Sequence, residues 1–96
     1  MPQQLATKLT RVTLDAEHVI STGSIRVNGI LASNATASPV TVQFQNNAGT
    51  EIITMHVAAN DNDSWDVMWI ADAGLKIASA GDADVVVTVA HGAVGA

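Results

Sequence analysis

A chain of 96 residues with no cysteine supports one small domain and excludes a disulfide or thiolate–metal framework to hold it together. Its net charge is −5, and the four basic residues (Lys8, Arg11, Arg26, Lys76) are scattered, which argues against a phosphate-binding stripe and against nucleic acid as a partner. Hydrophobic residues make up 48% and charged ones only 14%, so the surface is either covered in part by a protein partner or built of Thr, Ser and Asn.

Residues 1–8 are polar and unpatterned, and read as an N-terminal arm ahead of a domain over 9–92, with a short tail over 93–96. Leu9 to Leu14 alternates weakly (Leu9, Arg11 and Thr13 against Thr10, Val12 and Leu14) and is a first strand. Asp15-Ala16-Glu17-His18 has the composition of a helical turn but is too short for a stable helix. Ser21-Thr22-Gly23 is a turn signal. Ser24 to Ala32 is the next strand, with Ile25, Val27 and Leu31 in one phase and Arg26, Asn28 and Ile30 in the other. Asn28-Gly29 inside it reads as a bulge in one long strand rather than a two-residue hairpin, because the flanking runs are short. A small-residue loop follows, from Ser33 to Ser38, and Pro39 marks the next strand start.

Val40, Val42 and Phe44 alternate with Thr41 and Gln43, and Ile53, Met55 and Val57 alternate with Ile52, Thr54 and His56. Between these arms Asn47 or Gly49 can supply the positive φ of a tight reversal, so the stretch is a β-hairpin. Ala58 to Asp63 reads as a polar loop. Ser64 to Ile70 alternates again, with Trp65, Val67 and Trp69 on one side. Ala71 to Gly74 turns the chain into the short strand Leu75–Ile77, and Ser79 to Asp84 turns it once more. Val85 to His91 is apolar on both faces, which places it centrally in a sheet. Short strands, turns every eight to twelve residues and no helical period describe an all-β fold. The expectation is a single antiparallel β-sandwich (jelly-roll or immunoglobulin-like) of six to eight short strands, with an open barrel as second choice.

From Ser33 onward the chain resembles the small β-sandwich virion proteins of tailed, marine-type bacteriophages. The matching stretches are Ser33-Asn34-Ala35-Thr36-Ala37-Ser38-Pro39-Val40-Thr41-Val42, Val57-Ala58-Ala59-Asn60-Asp61, Trp69-Ile70-Ala71-Asp72-Ala73-Gly74-Leu75 and Asp84-Val85-Val86-Val87-Thr88-Val89. They cover about two-thirds of the chain. The resemblance implies a virion structural protein: a capsid decoration (cement) protein on the outer head surface, or a small tail or neck component. It implies no enzymatic role and no cofactor. The partners would be the major capsid protein and further copies of itself, as a homotrimer or other homo-oligomer, assembled in the host cytoplasm.

Candidate chemistry is sparse. Asp61, Asp63 and Asp66 resemble the start of a calcium loop, but there is no Gly at the sixth position and no Glu at the twelfth, so a solvated acidic loop is the stronger reading. His18, His56 and His91 lie on different segments without zinc-ligand spacing. No serine stands in a strained elbow beside a histidine. Trp65 and Trp69, at spacing four, read as core or as interface anchors, and a carbohydrate-binding module stacking sugars on them is the alternative from another class. Low charge makes apolar and backbone contacts the expected glue, with the arm reaching a neighbour, and Gln3, Leu5, Leu9, Trp65 and Trp69 are the candidate interface residues. No run approaches the roughly twenty apolar residues of a membrane-spanning helix, so no membrane partner is expected.

Overall fold

The computed structural model describes residues 7–66 and 68–94. Among these residues there are nine strands: β1 (Lys8–Leu14), β2 (His18–Ser21), β3 (Ile25–Asn34), β4 (Val40–Gln45), β5 (Glu51–Val57), β6 (Asp61–Trp65), β7 (Trp69–Ala71), β8 (Leu75–Ile77) and β9 (Asp82–Gly92). They form two antiparallel sheets packed together, a small all-β sandwich. Sheet one runs β1-β9-β3, with β6 and β7 end to end along the remaining edge of β3; sheet two runs β2-β8-β4-β5.

Alternation fills the space between the sheets. Val42 and Phe44 of β4, Met55 and Val57 of β5, and Leu75 and Ile77 of β8 face Val85, Val87 and Val89 of β9 and Ile25 and Val27 of β3, all buried. Each such side chain contributes roughly 1.5–3 kcal/mol when removed from water. The β4–β5 hairpin has the expected form: Gly49 takes the positive φ, and Asn46 Oδ1 accepts the N–H groups of Ala48 and Thr50. The last strand is central, between β1 and β3.

The long strand β3 carries its bulge where Asn28-Gly29 suggests, as a register shift against β9 between Val27 and Gly29. One inserted residue reverses the parity of everything after it. Ile25 and Val27 point inward before the bulge, and Ile30, Ala32 and Asn34 after it. The phase that placed Leu31 with Val27 is therefore corrected: Leu31 faces out and Ile30 faces in.

Other boundaries differ as well. Asp15 to Glu17 forms no helical turn but carries the chain from sheet one to sheet two, and His18–Ser21 is a strand, with Ile20 packed on the core. His18 Nε2 lies 2.8 Å from the Thr13 carbonyl, which pins this crossing. Asp61 to Asp63 is not loop but the start of β6, because the end of β3 offers an open edge for it to pair with. The single strand expected over Ser64 to Ile70 is two, β6 and β7, interrupted after Trp65 opposite the bulge in β3. β9 starts at Asp82 rather than Val85, pairing first with Leu14.

Asn34 fastens the two sheets at one end. Its amide group donates to the carbonyls of Ser38 (2.9 Å), Ala58 (3.1 Å) and Val57 (3.3 Å), and its Oδ1 accepts from the Thr36 N–H (2.9 Å) and hydroxyl (2.7 Å). Replacement by Ala takes this donor from the buried Val57 carbonyl and from Ala58, while the Ser38 carbonyl keeps the Thr36 hydroxyl, so Asn34→Ala is expected to cost about 1–3 kcal/mol in urea unfolding, with an unchanged m-value. Gly74 (φ +90°) has no room for a Cβ, which would stand 2.8 Å from the Ser21 carbonyl oxygen, whereas Gly81 (φ +77°) has nothing within 4 Å. Both Gly→Ala variants carry backbone strain of about 1 kcal/mol, and only Gly74→Ala adds a clash. Thermal unfolding of the pair is expected to separate them, with Gly74→Ala the lower by several degrees.

Candidate interaction surface

The outward faces of the two sheets differ in chemistry. On sheet two several polar side chains hold one another: Gln43 Nε2 donates to Glu51 Oε1 (2.9 Å), Thr54 donates to the same carboxylate, and Gln45 donates to Gln43. Those bonds hold the Glu51 carboxyl below its usual pKa, Thr54 foremost and Gln43 next. These polar groups are already satisfied, while Val19 and Ile52 stand exposed on the strands of the same sheet.

Sheet one presents aligned rows on its outer side. Residues opposite one another across antiparallel strands share a side, so Leu9, Ala90 and Gly29 form one row, Arg11, Thr88, Leu31 and Ser64 the next, and Thr13, Val86, Ser33 and Asn62 a third. The absence of a side chain at Gly29 leaves a shallow groove of about 450 Å³, lined by Leu9, Leu31, Ala90, Thr88, Ser64 and Asp66 among others. Leu9 is 74% exposed and Leu31 46%. Beyond the groove, Ile70 on β7 is 41% exposed. Gly29 is also the point of closest approach to β6: a Cβ there would lie 3.2 Å from the Trp65 carbonyl oxygen.

Arg26 closes one end of this face. It lies on the outer side of β3 yet is buried, donating to Asn28 Oδ1 (2.9 Å), the Ala93 carbonyl (3.0 Å) and the Thr7 hydroxyl (3.3 Å). The guanidinium thereby joins the start of β1 to the segment following β9.

A second hollow of about 350 Å³ opens between the sheets, lined by Lys8, Ile20, Ser21, Ile25, His91, Gly92 and Ala93. His91 Nε2 lies 2.7 Å from Thr10 Oγ1. Desolvation, with the nearby Lys8 ammonium second, lowers the His91 pKa from its ordinary 6.5.

The structure distributes the sequence-derived candidates unevenly. Leu9 stands on the outer face beside the groove. Trp65 pairs with Ile30 and Trp69 with Val27, so both rings lie on the inner side of sheet one. They are not equivalent: Trp69 packs against the core, its Nε1 buried without a hydrogen-bond partner among the described residues, while Trp65 at the rim is 36% exposed. A sugar platform needs two open ring faces, and the Trp69 ring is partly buried against the core. Gln3 and Leu5 lie outside the described residues. Asp61 and Asp63 share the inner side of β6, opposite Asn34 and Ala32, whereas Asp66 lines the outer groove. The three carboxylates do not converge, and no cluster of three or more His, Cys, Asp or Glu stands together among the described residues. Leu31, Thr88, Ala90, Arg11 and Asp66 were not legible as one surface; the signal that assembles them is the parity reversal at the bulge.

A scan against models of protein families finds no match, and a search of curated proteins finds none. Among solved structures, a chain of the Bacillus endospore appendages, described as a novel family of disulfide-linked pili, is similar over 95% of this chain and 92% of its own. The TM-score is 0.49 and the identity 18%; the present chain has no cysteine.

The lowered pKa of His91 gives a pH dependence with a definite sign. Between that value and 6.5 the unfolded chain binds more protons than the folded one, so stability rises with pH through this window. It is fully present above about 6.5 and lost as pH falls through the folded value. Urea titrations across this range are expected to show the slope in the wild type and a flatter profile in His91→Gln.

Proposed function

We propose that this protein is a non-catalytic structural subunit of a bacteriophage virion, a capsid decoration protein that binds the outer head surface and clamps neighbouring subunits through protein–protein contacts. The observation that carries the reading is a set of exposed apolar side chains, Leu9, Leu31 and Ile70, set among polar ones on the outward face of sheet one, on a domain whose core is already filled. Exposed apolar patches flanked by polar residues are the mark of an association surface. The phage-like stretches from Ser33 to Val89 supply the setting, and sparse charge supplies the mode of binding. A tail or neck position is the variant of the same reading.

Association driven by apolar and backbone contacts is weakly screened by salt. Purified protein is therefore expected to co-sediment with heads assembled from the major capsid protein of the same phage, at a fixed ratio that persists from low to high salt. It is also expected to raise the temperature at which those heads rupture. Failure to bind heads, together with binding to isolated tails, would move the protein to the tail; binding to neither would end the virion reading.

A further inference from the structure

We infer that the outer face of sheet one is self-complementary, and that a second copy of this chain docks on it face to face, placing Arg11 of each copy beside Asp66 of the other. The inference deepens the structural reading above by naming what covers the face that carries it, a second copy of this chain rather than the head itself, and it rests on that reading only for the premise that this face is an association surface.

Two observations select a second copy as the occupant. The first is charge. Arg11 stands on β1 at one edge of the face and Asp66 at the opposite edge, beside the groove over Gly29. Neither has an ion-pair partner among the described residues, where the pair joins Lys76 to Glu17 at 3.3 Å on the other sheet. A two-fold axis parallel to the strands and midway between two stacked faces lays β1 of each copy over β6 of the other. Arg11 then lies over the Ser64 row, one row from Asp66 and within reach of a long guanidinium side chain. A partner that was merely apolar would leave both charges uncompensated.

The second observation is extent. The strands of sheet one from β1 to β6 span about 14 Å between axes, and with side chains the outer rows cover about 20 × 25 Å. That is roughly 500 Å² per copy and roughly 1000 Å² in total, the lower limit for a specific interface. The dimer is accordingly concentration-dependent rather than obligate. Sheet two carries exposed apolar side chains as well, Val19 and Ile52, but its Gln43, Gln45, Thr54 and Glu51 groups are bonded to one another and its Lys76 is paired with Glu17.

Sedimentation equilibrium of the full chain over a wide concentration range tests this. The wild type is expected to show a monomer–dimer equilibrium, and Leu31→Lys to abolish it without loss of folding, because Leu31 is exposed. Arg11→Asp and Asp66→Arg are each expected to weaken dimerisation about ten-fold, and the double reversal to restore it, since the pair is then re-formed with exchanged signs. A monomer at every concentration, dimerisation unaffected by Leu31→Lys, or a double variant no better than the singles would each overturn the inference. Deletion of residues 2–6 that turned a monomer into a dimer would also overturn it, by showing that the chain's own N-terminal segment covers the face. A dimer that ignores phage heads removes the virion reading alone; a head-binding monomer removes this inference alone.

Discussion

The arrangement of this sandwich depends on one irregularity, the extra residue at Asn28-Gly29 in β3. β3 is long enough to pair with β9 on one edge and with both β6 and β7 on the other. A strand of unbroken alternation could send either Ile25 and Val27 or Ile30 and Ala32 into the core, not both. The bulge lets both halves point inward. It also turns Leu31 outward, carries Asn34 inward to its set of carbonyl acceptors, and interrupts the facing edge so that β6 and β7 are separate. Gly29 then meets a second demand, since the Trp65 carbonyl comes too near to accommodate a methyl group without adjustment. One local feature therefore fixes the interior, the outer groove and the broken edge together.

Among the described residues two polar side chains, Asn34 and Arg26, are the buried exceptions, and they act at opposite ends of β3. Both recruit backbone carbonyls chiefly from segments between or beyond strands: Ser38 in the loop after β3 and Ala58 just past β5, with Val57 at the end of β5, in one case, and Ala93 after β9 in the other. Because a buried donor or acceptor without a partner is costly, these bonds specify where irregular chain must lie, which apolar packing alone does not. The same economy explains the unequal outer faces. Sheet two spends its Gln, Glu and Thr side chains on one another, whereas sheet one leaves alanine, leucine and glycine uncovered beside two unpaired charges.

Much of this was legible in the residues. Strict alternation from Val40 to Phe44 and from Ile53 to Val57 determines the β4–β5 hairpin, and the twofold apolar β9 predicts its own central place, because period and burial act locally. Three things were not. The strand His18–Ser21 is too short to show a period and exists because β8 offers it an edge. Asp61-Asn62-Asp63 carries turn-like, charged residues and becomes a strand because the end of β3 would otherwise be unpaired; tertiary pairing overrides propensity there. Leu31 reads as core to any count that does not carry the bulge through to the residues beyond it. For the candidate surface, Leu9 could be singled out by its place beside the arm, whereas the rows across three strands need register, which single-strand patterns do not contain.

The position of β9 between β1 and β3 also bears on how the chain is made. β1 finds its hydrogen-bonding partner in β9, so it must wait through some seventy intervening residues before its ladder can close. Sheet two needs only segments ending at Ile77, and can be assembled while β3 still lacks the neighbour on its valine-rich side. Non-local pairing of this kind makes for slow acquisition of structure and a vulnerable interval during translation. Emergence of β9, rather than of any earlier segment, is the moment at which this sandwich becomes whole.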